Sequence, residues 1–145
     1  RLGSSLKTSQ QIVVTADHGM IEVPLDQHIY WDEYSLEKPV FVGGDTRCNF
    51  VYLDESVDAH SYAQALRNQL PQSVLVVSPS ELETQGWLSV EHSLESRIPD
   101  LYLVCSGAGA LYHRAFASYK SMKMLGHHGG ISATELSVPG LLLLG

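Results

Sequence analysis

A chain of 145 residues that is 44% hydrophobic and 17% charged, with 12 glycines, has the composition of a packed globular protein, neither disordered nor fibrous. Its length suits one domain or part of a larger one. A formal net charge of -7 with nine lysines and arginines lacks the cationic footprint of bulk nucleic-acid binding, and no apolar run approaches the roughly 18 to 20 residues of a membrane-spanning helix.

Residues 1–11 are polar, contain Gly3-Ser4-Ser5, and read as the tail of a helix followed by a loop. Residues 12–16, Ile-Val-Val-Thr-Ala, form a short apolar run bounded by turn residues, which predicts a strand buried on both faces of a parallel sheet. Asp17 and His18 stand where that strand ends, and Gly19 permits a sharp turn after them. Residues 21–39 mix two prolines, acids and aromatics and read as an excursion over the surface. Tyr30, Trp31 and Tyr34 could form a stacking wall there, but core packing is the preferred reading.

Residues 40–42 and 48–53 read as two strands joined by a turn at Gly-Gly-Asp-Thr, residues 43–46. Over residues 58–70 the apolar positions Ala59, Tyr62, Ala63, Leu66 and Leu70 fall on one helical face, and Pro71 ends the helix. Residues 74–77 are a strand. Ser78, Pro79, Glu81 and Gly86 then spell a capping box, a first-turn proline and a stop, which predicts a short helix over residues 79–85. Residues 101–106 are a strand, and Gly107 to Gly109 turn the chain into a partner strand at residues 110–113. A loop over residues 116–125 precedes the last block, Gly-His-His-Gly-Gly, a Ser132-x-x-Glu135 capping box opening one helical turn, and a final apolar strand.

Apolar runs at both ends, with a hairpin-plus-helix unit between them, predict an interrupted α/β sheet in which residues 1–39 and 116–145 form the core and residues 40–115 an α+β subdomain. Cys48 and Cys105 have no Cys-x-x-Cys spacing and read as reduced structural thiols, which suits a cytoplasmic setting. No signal peptide is visible, but the first residue is Arg1, so export stays open.

In open α/β sheets, ligand-binding groups gather beyond the C-terminal ends of strands. Asp17 and His18 occupy such a position and are of the residue types that ligate zinc. His127-His128-Gly129-Gly130 is the second candidate, its glycines letting the main chain pass close to a site. Taken separately, Asp17-His18 is a pair that many chains carry by chance, and the second candidate is more simply a surface turn. His28, His60, His92 and His113 lack ligand spacing and read as solvated or packing residues, Asp26 as a surface charge, Asp45 as a turn residue, and Thr15 as a β-branched strand residue.

Together, Val-Val-Thr-Ala-Asp-His-Gly-Met at residues 13–20 and Gly-His-His-Gly-Gly followed by Glu135 and Val138-Pro139 before the last strand resemble the type I phosphodiesterase/nucleotide pyrophosphatase family of the alkaline phosphatase superfamily. The resemblance implies an alkaline-phosphatase-like α/β fold and hydrolysis of phosphate esters or nucleotides with two divalent metal ions, zinc by expectation, through a Thr or Ser nucleophile. It implies Asp17 and His18 on one ion and His128 on the other. His127 occupies the variable position and is expected in the second shell or facing solvent. The family's nucleophile and further ligands precede the Asp-His-Gly motif, and only residues 1–16 do so here, so the chain reads as the C-terminal portion of a larger enzyme, inactive alone. A phosphomutase or sulfatase branch, or a non-catalytic assembly module with vestigial half-sites, is the alternative. Sheet edges left open in such a piece are prone to pair, so dimerisation of the fragment is expected.

Overall fold

The computed structural model describes residues 7, 9–34 and 37–144. The expected helix tail near the start lies mostly outside them. The largest unit is a four-stranded antiparallel sheet in the order β4-β5-β7-β6, formed by Phe41–Asp45, Cys48–Tyr52, Leu101–Cys105 and Val74–Val77 respectively. The β4–β5 register pairs Asp45 with Cys48, so the reversal is made by Thr46 and Arg47, and the two glycines expected in the turn lie in strand β4. Gly44 keeps its positive φ of 79°; a Cβ there would meet the Cys48 carbonyl oxygen at 2.3 Å.

One face of this sheet is covered by helix α1, Ala59–Gln69. Asp58 caps it, accepting the Ser61 N–H at 2.9 Å, and its apolar stripe of Tyr62, Ala63 and Leu66 is buried. That stripe meets Val51, Val74, Val76, Leu101 and Leu103 in the main core. Burial of such side chains contributes about 1.5–3 kcal/mol each, before the entropy cost of ordering them. Trp31 closes the core from the segment expected on the surface: it is fully buried and its Nε1–H donates to Asn49 Oδ1 at 2.8 Å. Core packing is therefore its role. Helix α2, Pro79–Thr84, carries the expected capping box in full.

Strand β8, Ala110–Tyr112, was expected to pair with β7 across the glycine turn. It pairs instead in parallel with β3, His28–Tyr30, joining residues on either side of the expected boundary at residue 40. The Gly107–Gly109 turn redirects the chain out of the sheet, and the apolar Val23, Ala110 and Tyr112 form a second small core there.

The chain ends meet in two ribbons. Strand β1, Gln11–Thr15, pairs with β10, Gly140–Leu144, and β2, Ile21–Glu22, with β9, Gly126–His127. The first pairing corrects the expectation of a buried parallel strand: β1 and β10 run antiparallel, and Val13 and Leu142 are 70% and 54% exposed. A two-stranded ribbon has two faces, and among the described residues no helix or second sheet layer covers either. No helix of the described residues is long and apolar enough to cross a membrane.

Candidate metal centre

The ribbons deliver the two histidine motifs to one place. Asp17 and His18 follow β1, and His128 follows β9. The His18 and His128 rings stack with centroids 3.8 Å apart and planes 14° from parallel. The Asp17 carboxylate lies beside them, Oδ2 3.6 Å from His18 Nε2, while Oδ1 accepts the His18 backbone N–H at 3.0 Å. Hydrogen bonds from its own and the His18 backbone N–H, and then the charge of His18, hold the Asp17 carboxyl below the usual range.

His18 Nδ1 lies 2.8 Å from the Gly19 carbonyl oxygen, which can only accept, so Nδ1 carries a proton and, in the neutral ring, Nε2 is the nitrogen with a lone pair. A carbonyl partner on the other ring nitrogen is the usual way a ligating histidine is oriented. Two donors on one tetrahedral zinc at about 2.0–2.2 Å lie roughly 3.4 Å apart, close to the Asp17–His18 separation. The spacing of these two donors therefore fits a divalent ion, and the His128 ring stands beside them. Among the described residues no group of three or more His, Cys, Asp or Glu forms a complete metal site.

His127 is neither solvent-facing nor free to ligate. It is 3% exposed, Thr46 donates its hydroxyl to Nδ1 at 2.7 Å, and Nε2–H donates to the Met124 carbonyl at 2.9 Å. Burial, with the positive charge of Arg47 among the lesser causes, lowers its pKa, which keeps the ring neutral. His28 and His113 are buried and have packing roles: His28 packs against Tyr112, and His113 against Trp31 and Phe116. His60 and His92 are exposed as expected. Cys48 and Cys105 are free thiols, and burial pushes both up to about 11.

A buried ion pair lies behind the two motifs; Glu135 belongs to the second motif, whereas Arg47 carries no sequence signal. Arg47 and Glu135 form a buried pair, Nε to Oε1 at 2.7 Å and Nη2 to Oε2 at 2.6 Å. The Ser132-x-x-Glu135 pattern predicts a capping box on helix α3, Ala133–Leu136, but no side-chain cap forms. Ser132 instead donates its hydroxyl to Glu135 Oε2 at 2.5 Å. Two glycines of the motifs, Gly19 and Gly130, leave no room for a side chain. Gly19 has an ordinary negative φ, so turn conformation is not its purpose; a Cβ there would lie 1.9 Å from the Thr134 carbonyl oxygen. At Gly130 a Cβ would meet the Cys105 carbonyl oxygen at 2.6 Å and Arg47 Nη2 at 2.8 Å.

A groove of about 480 Å³ opens beside His128 and Met20 and runs along Asp45 and Thr46 to His113 and Phe116. That volume falls in the range of small-molecule sites, about 300–1,000 Å³.

The chain's mixed α/β architecture matches part of an alkaline-phosphatase-like fold. The structure is similar to human ectonucleotide pyrophosphatase/phosphodiesterase 5, with a TM-score of 0.69 and 16% identity over 93% of this chain and 34% of that one. The murine protein of the same name matches with a TM-score of 0.68 and 18% identity over 91% of this chain and 33% of that one. Phosphonoacetate hydrolase from Sinorhizobium meliloti 1021, in complex with phosphonoformate, matches with a TM-score of 0.59 and 26% identity over 94% of this chain and 36% of that one. The chain spans about a third of the length of these solved structures. The neighbours are hydrolases of the alkaline phosphatase superfamily. No family model matches the sequence, and no curated protein matches it.

Proposed function

We propose that this chain is part of a two-metal phosphoester hydrolase of the phosphodiesterase/pyrophosphatase kind. Asp17 and His18 hold one divalent ion, zinc by chemistry of the donors, and His128 holds the other. The observation that carries this reading is the convergence of an Asp carboxylate and two histidine rings from opposite ends of the chain onto one spot. Paired ions stabilise charge on the attacking and leaving oxygens of an in-line displacement. This chain's own residues bind and orient: Gly19 fixes the His18 tautomer, and the groove beside His128 takes the organic part of a phosphate ester or nucleotide. The Thr or Ser nucleophile and the remaining ligands come from polypeptide outside these residues.

A second reading, a non-catalytic assembly module, is favoured by one observation, the two-faced apolar ribbon of β1 and β10. Zinc titration by calorimetry, with hydrolysis of a chromogenic phosphodiester, separates the two. Zinc should bind the chain weakly and be lost in Asp17→Ala and in His128→Ala, with no hydrolysis by the chain alone. Failure of the unaltered chain to bind zinc supports the module; hydrolysis by the chain alone refutes the external nucleophile.

A further inference from the structure

We infer that Glu135, clamped by Arg47, is the positioning residue that sets the separation of the Asp17–His18 and His128 halves of the site; the inference rests on the metal-centre reading just proposed. Glu135 is bonded to both motifs at once. Its backbone carbonyl accepts the Gly19 N–H at 2.7 Å, one residue past His18. Its carboxylate oxygen Oε1 accepts the Gly130 N–H at 2.9 Å, two residues past His128. One residue thus spans the gap between the two turns, with its main chain on one and its side chain on the other.

The span is stiff because the carboxylate is over-determined. Arg47 Nε and Nη2, the Gly130 N–H and the Ser132 hydroxyl all donate to it. A bidentate guanidinium–carboxylate pair fixes orientation as well as distance. Arg47 is itself held, donating through Nη1 to the Gly109 carbonyl and accepting the Cys105 N–H on its own carbonyl at 2.9 Å. Neither glycine leaves slack, since a single added carbon would collide with Thr134 on one side and with Cys105 and Arg47 on the other. The β2–β9 ribbon brings the two motifs into the same region; Glu135 fixes how far apart the rings stand within it.

The test reads the ring contact and zinc affinity separately. In the labelled chain, nuclear Overhauser contacts between the His18 and His128 ring protons should be strong. In Arg47→Lys and Glu135→Gln they should disappear, and zinc should bind about 10 to 100 times more weakly, the usual effect of losing an outer-shell partner. The amide spectrum of α1 and of the sheet away from the β4–β5 turn and Cys105 should keep its pattern. Ser132→Ala, which removes one donor only, should weaken the contacts by less and carries the test if Glu135→Gln does not fold. A lower melting temperature with ring contacts and zinc affinity intact in these variants would overturn the inference. Failure of the unaltered chain to bind zinc defeats the metal-centre reading instead, and the ring contacts still decide whether Glu135 positions the histidines.

Discussion

Acid should remove the contribution of the Arg47–Glu135 pair in a defined pH window. Burial by itself raises the Glu135 carboxyl, but hydrogen bonds from Arg47, Ser132 and Gly130 and the Arg47 charge more than reverse this and lower it from 4.5 to about 2. The unfolded chain takes up this proton near 4.5 and the folded chain only near 2. Between these values the unfolded state binds more protons, so stability rises with pH. The contribution is complete above 4.5 and is lost as pH falls towards 2. A drop from 4.5 to about 2, at about 1.4 kcal/mol per pH unit, corresponds to ~3 kcal/mol. Total stabilities of roughly 5–15 kcal/mol make that a large share. Glu135→Gln alone is a poor reference, because it strands a buried guanidinium at a cost of about 3–5 kcal/mol. The double variant Arg47→Met with Glu135→Gln carries neither charge. Urea unfolding of both proteins at stepped pH should show the unaltered chain losing ~3 kcal/mol more than the double variant between about pH 5 and pH 2. Other carboxyls held low, such as Asp54, Asp58 and Glu81, are common to both and cancel. Parallel pH profiles would refute the argument.

Gly19→Ala should lower stability by about 1–3 kcal/mol, because its methyl must displace the Thr134 main chain; an unchanged urea midpoint would show that the turn has room. Burial lowers the His113 pKa below 6.5, so the unfolded chain protonates first and stability is lost as pH falls from 6.5 through the lowered value. His113→Phe should flatten thermal stability between about pH 7 and pH 5, and a slope equal to that of the unaltered chain would rule out this residue as its source. Val13→Lys with Leu142→Lys, placed on the exposed ribbon, should reduce self-association in analytical ultracentrifugation. Association unaffected by both charges would mean that copies meet elsewhere.

The same four-residue pattern occurs twice in the sequence and folds in two different ways. Ser78-x-x-Glu81 closes as a capping box, Glu81 Oε2 accepting the Ser78 N–H at 2.7 Å. Ser132-x-x-Glu135 does not, because a buried guanidinium from a distant turn takes the carboxylate. Local codes hold where the partners are local, as in α1 and α2. They fail where a non-local partner binds more strongly, and charge-assisted bidentate bonds are roughly twice as strong as neutral ones. Strand β8 shows the same limit: residues 110–112 read correctly as a strand, but its partner β3 lies far back in the chain. Asp17, His18 and His128 stand out in the sequence only when the two motifs are taken together, and the structure brings their three side chains to one place. Arg47 does not stand out, since nothing beside it marks an arginine for complete burial.

The buried Arg47 ties the four-stranded sheet to the histidine loop. The loop after His128 cannot fix itself: Gly129 sits at a φ of +102° and neither Gly129 nor Gly130 has a side chain to anchor. Whatever holds it must come from outside, and three consecutive residues of the β4–β5 turn do so. Asp45 packs against Gly129, whose added Cβ would lie 3.0 Å from the Asp45 Cβ. Thr46 bonds His127, and Arg47 bonds Glu135 behind Gly130. Register in an antiparallel pair is strict, since a slip of one residue would exchange the faces of every side chain. The pairing of Asp45 with Cys48 therefore decides which side chains of the turn reach the loop, and the sheet acts as a template for the loop's shape. Replacing the whole sheet by a short linker would leave the sequence of the loop intact and remove what holds His128 against His18.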